Sequence, residues 1–151
     1  MTNEDIVDTL NELIETSKDA EHGFRTSAGY FEAAETRTLF ENRAEECRQA
    51  AAELQMLVAQ YGGKAEESGT AGGTLHRGWV AVKATLAGYS DKSILEDAEQ
   101  GEDDAIASYR KALAKTLPVE LRTVLERQFE ALQRSHTLVR FLRDQARVAS
   151  L

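Results

Sequence analysis

Apolar residues recur every three or four positions along most of the chain, which is the pattern of amphipathic helices. Four long segments carry this pattern, and they predict helices over about residues 3–28, 34–61, 91–116 and 118–148. The chain contains one proline and few runs of β-branched residues, so little in it disfavours helix. The sequence therefore predicts an all-α protein built as a four-helix bundle.

Glycine, proline and short polar residues mark the expected ends of these helices. Gly29 is expected to end the first helix as a residue that can take the left-handed conformation, and the pair at 62–63 is expected to end the second. Ser90 or Asp91 is a candidate N-cap of the third helix. Pro118 is expected to open the fourth.

The connection between the second and third long helices is longer than a turn requires. It contains a glycine-rich loop, GGKAEESGTAGG at 62–73, and a short predicted helix at 74–88. A helix of about 26 residues is about 39 Å long, and this connection is long enough to cross that length. Two short hairpins joined by one long crossover are therefore predicted, instead of a plain up-down-up-down bundle.

Composition limits the possible partners and compartment. The 151 residues suit a single domain over 1–151, and 42% of them are hydrophobic, which is enough for a core. A formal net charge of −8 disfavours binding to nucleic acid or to an anionic membrane surface. The single Cys47 excludes an intrachain disulfide, and the N-terminal stretch lacks the features of a secretory signal. The predicted localisation is cytoplasmic.

A repeated pentad suggests where a polar site would form. Residues 19–23 read DAEHG and residues 97–101 read DAEQG. If the first and third helices are antiparallel, residue counts place Glu21 and Glu99 at about the same height in the bundle. The same counting brings His136 from the fourth helix and Arg43 from the second to that height.

Heptad spacing indicates which of these side chains face inward. Glu21 shares a line with apolar residues, and Glu102 and Glu99 flank the inner stripe of the third helix. The other inward or bordering positions are Arg43, Gln128, His136 and Tyr109, with Glu46 at the margin of the second helix. Buried carboxylates without partners are unfavourable, so this layer needs a metal ion, an arginine, protons or water.

The chain resembles the ferritin-like four-helix-bundle superfamily, and within it a bacterial branch catalogued as a domain of unknown function. The residues that carry the resemblance are LIETSKDAEHGF, LHRGW, ILEDAEQGEDDA, LP before the fourth helix, and RQFEALQRSH. For the superfamily, the resemblance implies a di-iron or di-manganese site with one Glu on each of two helices and Glu-x-x-His on each of the other two. Glu21 and Glu99 occupy the two single-Glu positions.

The two Glu-x-x-His motifs are altered in this chain. The second helix offers Arg43-x-x-Glu46 and the fourth offers Gln133-x-x-His136. Because a guanidinium repels a dication and can pair with a carboxylate, oxygen chemistry at a full di-iron centre is not expected.

The preferred interpretation is a non-enzymatic, stress-associated bundle protein whose polar core layer holds at most one metal ion, although enzymatic activity stays open. One alternative is a metal-dependent oxidoreductase or iron-handling protein that holds one Fe, Mn or Zn ion. Its ligands would be Glu21, Glu99, Glu102 and His136, with Glu46 as a marginal candidate and Tyr109 or Gln128 supporting them. Another alternative is a self-associating interaction module, a homo-oligomer joined through exposed apolar faces of the first two helices.

Overall fold

The computed structural model describes residues 1–67 and 90–151, and these residues form four helices. The helices are α1 (Asn3–Ala28), α2 (Ala34–Gln60), α3 (Asp91–Leu113) and α4 (Val119–Ala149). The described residues contain no strand. The predicted all-α four-helix bundle is therefore confirmed, whereas the predicted short helix at 74–88 lies outside the described residues.

Local capping explains where the helices begin. The Thr2 side chain accepts a hydrogen bond from the Asp5 backbone, and the Asp5 carboxylate accepts one from the Thr2 backbone, so α1 starts with a capping box. Ser90 and Ser93 form the same reciprocal arrangement at the start of α3. Pro118 is the N-cap residue of α4 and lies just before its first turn.

Two helix ends differ from the sequence expectation. Gly29 has a right-handed conformation with φ of −67°, whereas Gly62, after α2, has φ of +77° and takes the left-handed conformation. Helix α3 ends at Leu113 and not near residue 116, and the chain turns through the residues that lead to Pro118. Because terminal turns fray easily, boundaries are the part of a helix that periodicity predicts least well.

The helices pack in a cyclic order, with α1 between α2 and α3, and α4 between α3 and α2. Helices α2 and α4 approach each other least closely of these neighbours. The start of α1 packs with the end of α3 in one core cluster, and the end of α1 packs with the start of α3 in the other, so the two run antiparallel. An ion pair between Lys111 and Glu12 joins them. The ion pair between Arg127 and Glu53 relates α4 to α2 in the same way.

The apolar core consists of two clusters with polar residues between them. One cluster lies toward the start of α1 and includes Leu10, Ile14, Leu54, Leu121 and Leu125. The other lies toward its end and includes Phe24, Phe31, Phe40, Ile94 and Val139. The buried polar side chains between and beside them include Thr16, Ser17, Arg43, Glu102 and Gln128. The fold thus places a polar layer at the middle of the bundle.

Candidate polar centre

Glu102 on α3 is the most deeply buried carboxyl of the polar layer, with 1% of the residue exposed. Ser135 on α4 donates a hydrogen bond to its Oε2 atom at 2.5 Å. Nε of Arg43 on α2 lies 3.8 Å from the same oxygen, which is an ion-pair distance but too long for a hydrogen bond. Glu102 thereby links three helices.

Burial dominates the ionisation of Glu102. Loss of hydration raises the pKa of Glu102 to about 7, although the hydrogen bond from Ser135 and the positive charge of Arg43 oppose this rise. The negative charges of Asp103 and Glu99 raise the pKa further. A substantial fraction of Glu102 side chains is therefore uncharged near neutral pH.

Glu21 pairs with cations of its own helix. Its carboxylate lies 3.3 Å from Arg25 and 4.0 Å from Lys18, and 19% of the side chain is exposed. The contact of Glu12 with Lys111 sets the register of α1 against α3. Continuing that antiparallel register brings Glu21 about level with Glu102, roughly one helical turn from Glu99.

Glu99 and His136 have separate partners across the α3–α4 interface. Nη1 of Arg143 donates to both carboxylate oxygens of Glu99, and Nε of Arg140 lies 3.8 Å from Oε2. Nε2 of His136 lies 2.6 Å from Oδ1 of Asp103. Each of these predicted ligands therefore already has a partner of complementary hydrogen-bonding or charge character.

Gln128 and Tyr109 form a second buried group next to Glu102. The Tyr109 hydroxyl donates to Oε1 of Gln128 at 2.7 Å, and Nε2 of Gln128 donates to Glu53 at 2.9 Å. Burial raises the pKa of Tyr109 well above its ordinary value, so this hydroxyl stays protonated. Glu46 is exposed on α2.

This donor set does not fit a dinuclear metal centre. Such a centre needs carboxylates and imidazoles that converge on two ions, whereas here Arg43, Arg25 and Arg143 lie beside the candidate carboxylates. Within residues 1–67 and 90–151, no three His, Cys, Asp or Glu side chains lie close enough together to hold a metal ion. The proposed site for a single ion stays a prediction that this arrangement does not support.

A cavity of about 480 Å³ adjoins the polar centre between α2 and α4. Arg43, Glu102, Tyr109 and Gln128 line it together with apolar residues, and Cys47 forms part of its wall. Burial raises the pKa of the Cys47 thiol to about 11, so the thiol is protonated at neutral pH. Cys47 is therefore a small apolar wall residue, as its position on α2 predicts.

Four partner residues were not found by counting along the sequence. The Ser135 hydroxyl contacts Glu102, and the Asp103 carboxylate contacts His136. The Arg143 guanidinium contacts Glu99, and the Glu53 carboxylate contacts Gln128. Ser135 and Asp103 each directly adjoin a residue that the sequence indicated. This adjacency is the signal that the sequence carries for these two partners.

Comparison with known proteins places the chain in a family. The family model described as Domain of unknown function (DUF2383) matches residues 5–115. The chain belongs to this family. No curated protein matches the DUF2383 chain.

The fold of this DUF2383 protein is similar to those of two ferritin-related structures. A mutant of Dps1 from Mycobacterium smegmatis aligns with a TM-score of 0.74 and 17% identity, covering 93% of this chain and 96% of that one. A dodecameric thioferritin, the bacterioferritin-related protein from Bacteroides fragilis, aligns with a TM-score of 0.78 and 16% identity, covering 99% and 91%. The predicted ferritin-like fold is confirmed. None of the helices described for the DUF2383 chain has the length and apolar character needed to cross a membrane.

Proposed function

We propose that this protein is a non-enzymatic ferritin-like bundle in which a polar network replaces a catalytic metal centre. The observation that carries the proposal is the position of Arg43, whose guanidinium lies beside the buried carboxyl of Glu102. A fixed positive charge at this point repels a divalent cation, and it partly compensates the carboxylate that a metal would need.

The other predicted ligands support the same proposal. Binding a metal through Glu21 or Glu99 would require each to leave the arginine that it now contacts, and His136 would have to leave Asp103. Each such exchange gives up an existing ion pair or hydrogen bond, and the exposed pair of Glu21 with Arg25 contributes least among them, about 0.2–1 kcal/mol. The layer instead joins α2, α3 and α4 and favours one register among them.

Metal stoichiometry after incubation with Fe(II), Mn(II) and Zn(II) tests this proposal. We expect the wild-type protein to retain less than about 0.1 equivalent of any of these metals after desalting. Arg43→Glu is the matched variant, because it removes the positive charge and places a second carboxylate beside Glu102. It should retain more metal than the wild type. Circular dichroism should establish that both proteins are helical.

A full equivalent of metal in the wild type, lost in Glu102→Gln, would contradict the proposal. It would support the alternative of an iron-handling or metal-dependent protein that binds one Fe, Mn or Zn ion. The association with stress and the cytoplasmic localisation stay predictions from the sequence.

We further propose that the protein forms homo-oligomers through α4. Leu138, Phe141 and Val148 are exposed and recur at helical spacing along one side of its C-terminal half. The sequence interpretation placed this surface on the first two helices, but on α1 and α2 the large exposed apolar side chain is Met56 alone. The similar thioferritin is a dodecamer, which supports assembly of this chain as well.

Light scattering after size exclusion tests the assembly. Phe141→Glu should lower the mass toward that of the 16.7 kDa chain, whereas Met56→Glu, an equally polar change on α2, should leave it unchanged. A wild-type protein that is monomeric across concentration would contradict this second proposal and would leave the first intact.

A further inference from the structure

The cavity between α2 and α4 has the size of a small-molecule site. Its volume of about 480 Å³ lies within the range of pockets that enclose small ligands. Glu46, Arg127 and Arg134, which line it, are exposed, so the cavity opens to the surface there. A second space of about 450 Å³ shares Arg43 and Ala131 with it and continues along the same helices.

Two residues that line this cavity each have a buried polar atom without a hydrogen-bond partner in the described part of the chain. These atoms are Nε of Arg43 and Oε1 of Glu102. Their residues are 9% and 1% exposed and both line the cavity. A buried polar atom without a partner is unfavourable, so a bound group that satisfies both atoms would bind favourably.

Of the described residues that line the cavity, three are arginines and three are glutamates, and Arg43 is the buried arginine. Arg127 is compensated by Glu53, with 2.6 Å between Nη2 and Oε2. Nε of Arg43 makes no hydrogen bond with Glu102, because 3.8 Å separates it from Oε2. An anionic group of the ligand would therefore complement Arg43.

Apart from Thr16, Ser17 and Gln49, the remaining wall is apolar, and this apolar part indicates the other half of the ligand. It is formed by Ala20, Phe24, Cys47, Ala105 and Leu132. These side chains offer no charge and no strong hydrogen bond, so they favour an aliphatic or aromatic body.

We propose that this cavity binds a small monocarboxylate with an apolar body. The ligand carboxylate accepts a hydrogen bond from Nε of Arg43 and another from the carboxylic acid form of Glu102. Its body lies against Ala20 and Leu132. This binding site requires no metal and goes beyond the structural role proposed above for the polar network.

Calorimetric titration of the full-length protein with hexanoate and with benzoate tests the proposal. We expect a dissociation constant on the order of 0.1 mM for one of these acids, and a value at least about tenfold higher for the matched amide, hexanamide or benzamide. Equal affinity for acid and amide would overturn the recognition of a carboxylate. No heat from either acid at about 10 mM would overturn the site itself.

Arg43→Met should weaken binding of the acid by about tenfold or more, because it removes the donor and the charge. Arg48→Met is the matched control on the same helix, since Arg48 is exposed, pairs with Glu45 and does not line the cavity. Unchanged affinity in Arg43→Met would overturn the proposal.

If Arg43→Met does not fold, a cavity-filling variant gives an independent test. Ala131 is half-buried in the cavity wall and makes no polar contribution. Ala131→Phe should abolish acid binding while its helical circular dichroism stays that of the wild type. Retained binding in this variant would contradict the location.

Discussion

The ionisation of Glu102 makes the stability of this protein depend on pH in a defined direction. The pKa of Glu102 is about 7 in the folded protein, against an ordinary value of 4.5 that applies when the chain is unfolded. Below pH 4.5 the carboxyl is protonated in both states and does not alter stability. Between pH 4.5 and 7 the unfolded chain loses this proton first, so the free energy of unfolding falls as the pH rises.

The size of this effect follows from the difference in pKa. Each pH unit corresponds to about 1.36 kcal/mol, so the full loss above pH 7 is on the order of 3 kcal/mol. Glu102→Gln provides the comparison, because glutamine has a similar shape and does not ionise. The difference in the free energy of unfolding between wild type and variant at pH 5 is the reference value. By pH 8 the wild type should have lost about 2–3 kcal/mol of unfolding free energy relative to the variant.

Urea unfolding followed by circular dichroism at pH 5, 6, 7 and 8 measures this difference. Glu41→Gln is the control, since Glu41 is exposed on α2. Its difference from the wild type should stay within about 0.5 kcal/mol over the range. The comparison between variants removes the contributions of all other carboxylates.

The opposite slope would refute the reasoning. If the wild type gained stability over Glu102→Gln as the pH rose, the ion pair with Arg43 would outweigh burial and Glu102 would be an ordinary carboxylate anion. A second variant checks the cause, because Arg43 lowers the pKa of Glu102. In an Arg43→Gln background the loss of stability should extend to higher pH.

Other predictions concern packing, hydrogen bonding and the thiol. Gly63→Ala should destabilise the protein by about 1–3 kcal/mol in thermal or urea unfolding, because its Cβ would lie 2.6 Å from both methyl groups of Val7. Gly29→Ala, where the nearest atom is 3.8 Å away, should be tolerated, and equal losses in both variants would contradict this account. Tyr109→Phe should cost about 1–3 kcal/mol in urea unfolding, since it leaves a buried glutamine oxygen without its donor; a neutral result would mean that water replaces the hydroxyl. Cys47, 3% exposed and with a pKa of about 11, should react with a thiol reagent at pH 8 only after urea is added, and rapid labelling of the folded protein would contradict its burial.

Much of the fold follows from the sequence because helical periodicity is a local signal. The four helices lie where the apolar stripes predict them, and Arg43 and Gln128 are buried as heptad spacing indicates. Gly62 takes the left-handed conformation and Gly29 does not. The sequence could not predict this difference, because any glycine permits that conformation and the geometry of the turn determines whether it is adopted.

The partners within the polar layer were harder to predict than its members. Counting residues gives height along a helix to within about one turn, and it does not give the rotation of each helix about its axis. A rotation by one position exchanges Ser135 for His136 as the neighbour of Glu102, and it decides whether Glu99 faces the centre or Arg143. Ion pairs between helices therefore depend on packing angles that the sequence pattern does not contain.

Anomalous diffraction from crystals soaked in Mn(II) tests most directly the central claim that an arginine-paired carboxyl stands where a metal centre would be. We expect no anomalous peak in the polar layer, with Arg43 beside Glu102 as described. A peak bound by Glu102 together with Glu21, Glu99 or His136, with the arginines turned away, would contradict the account.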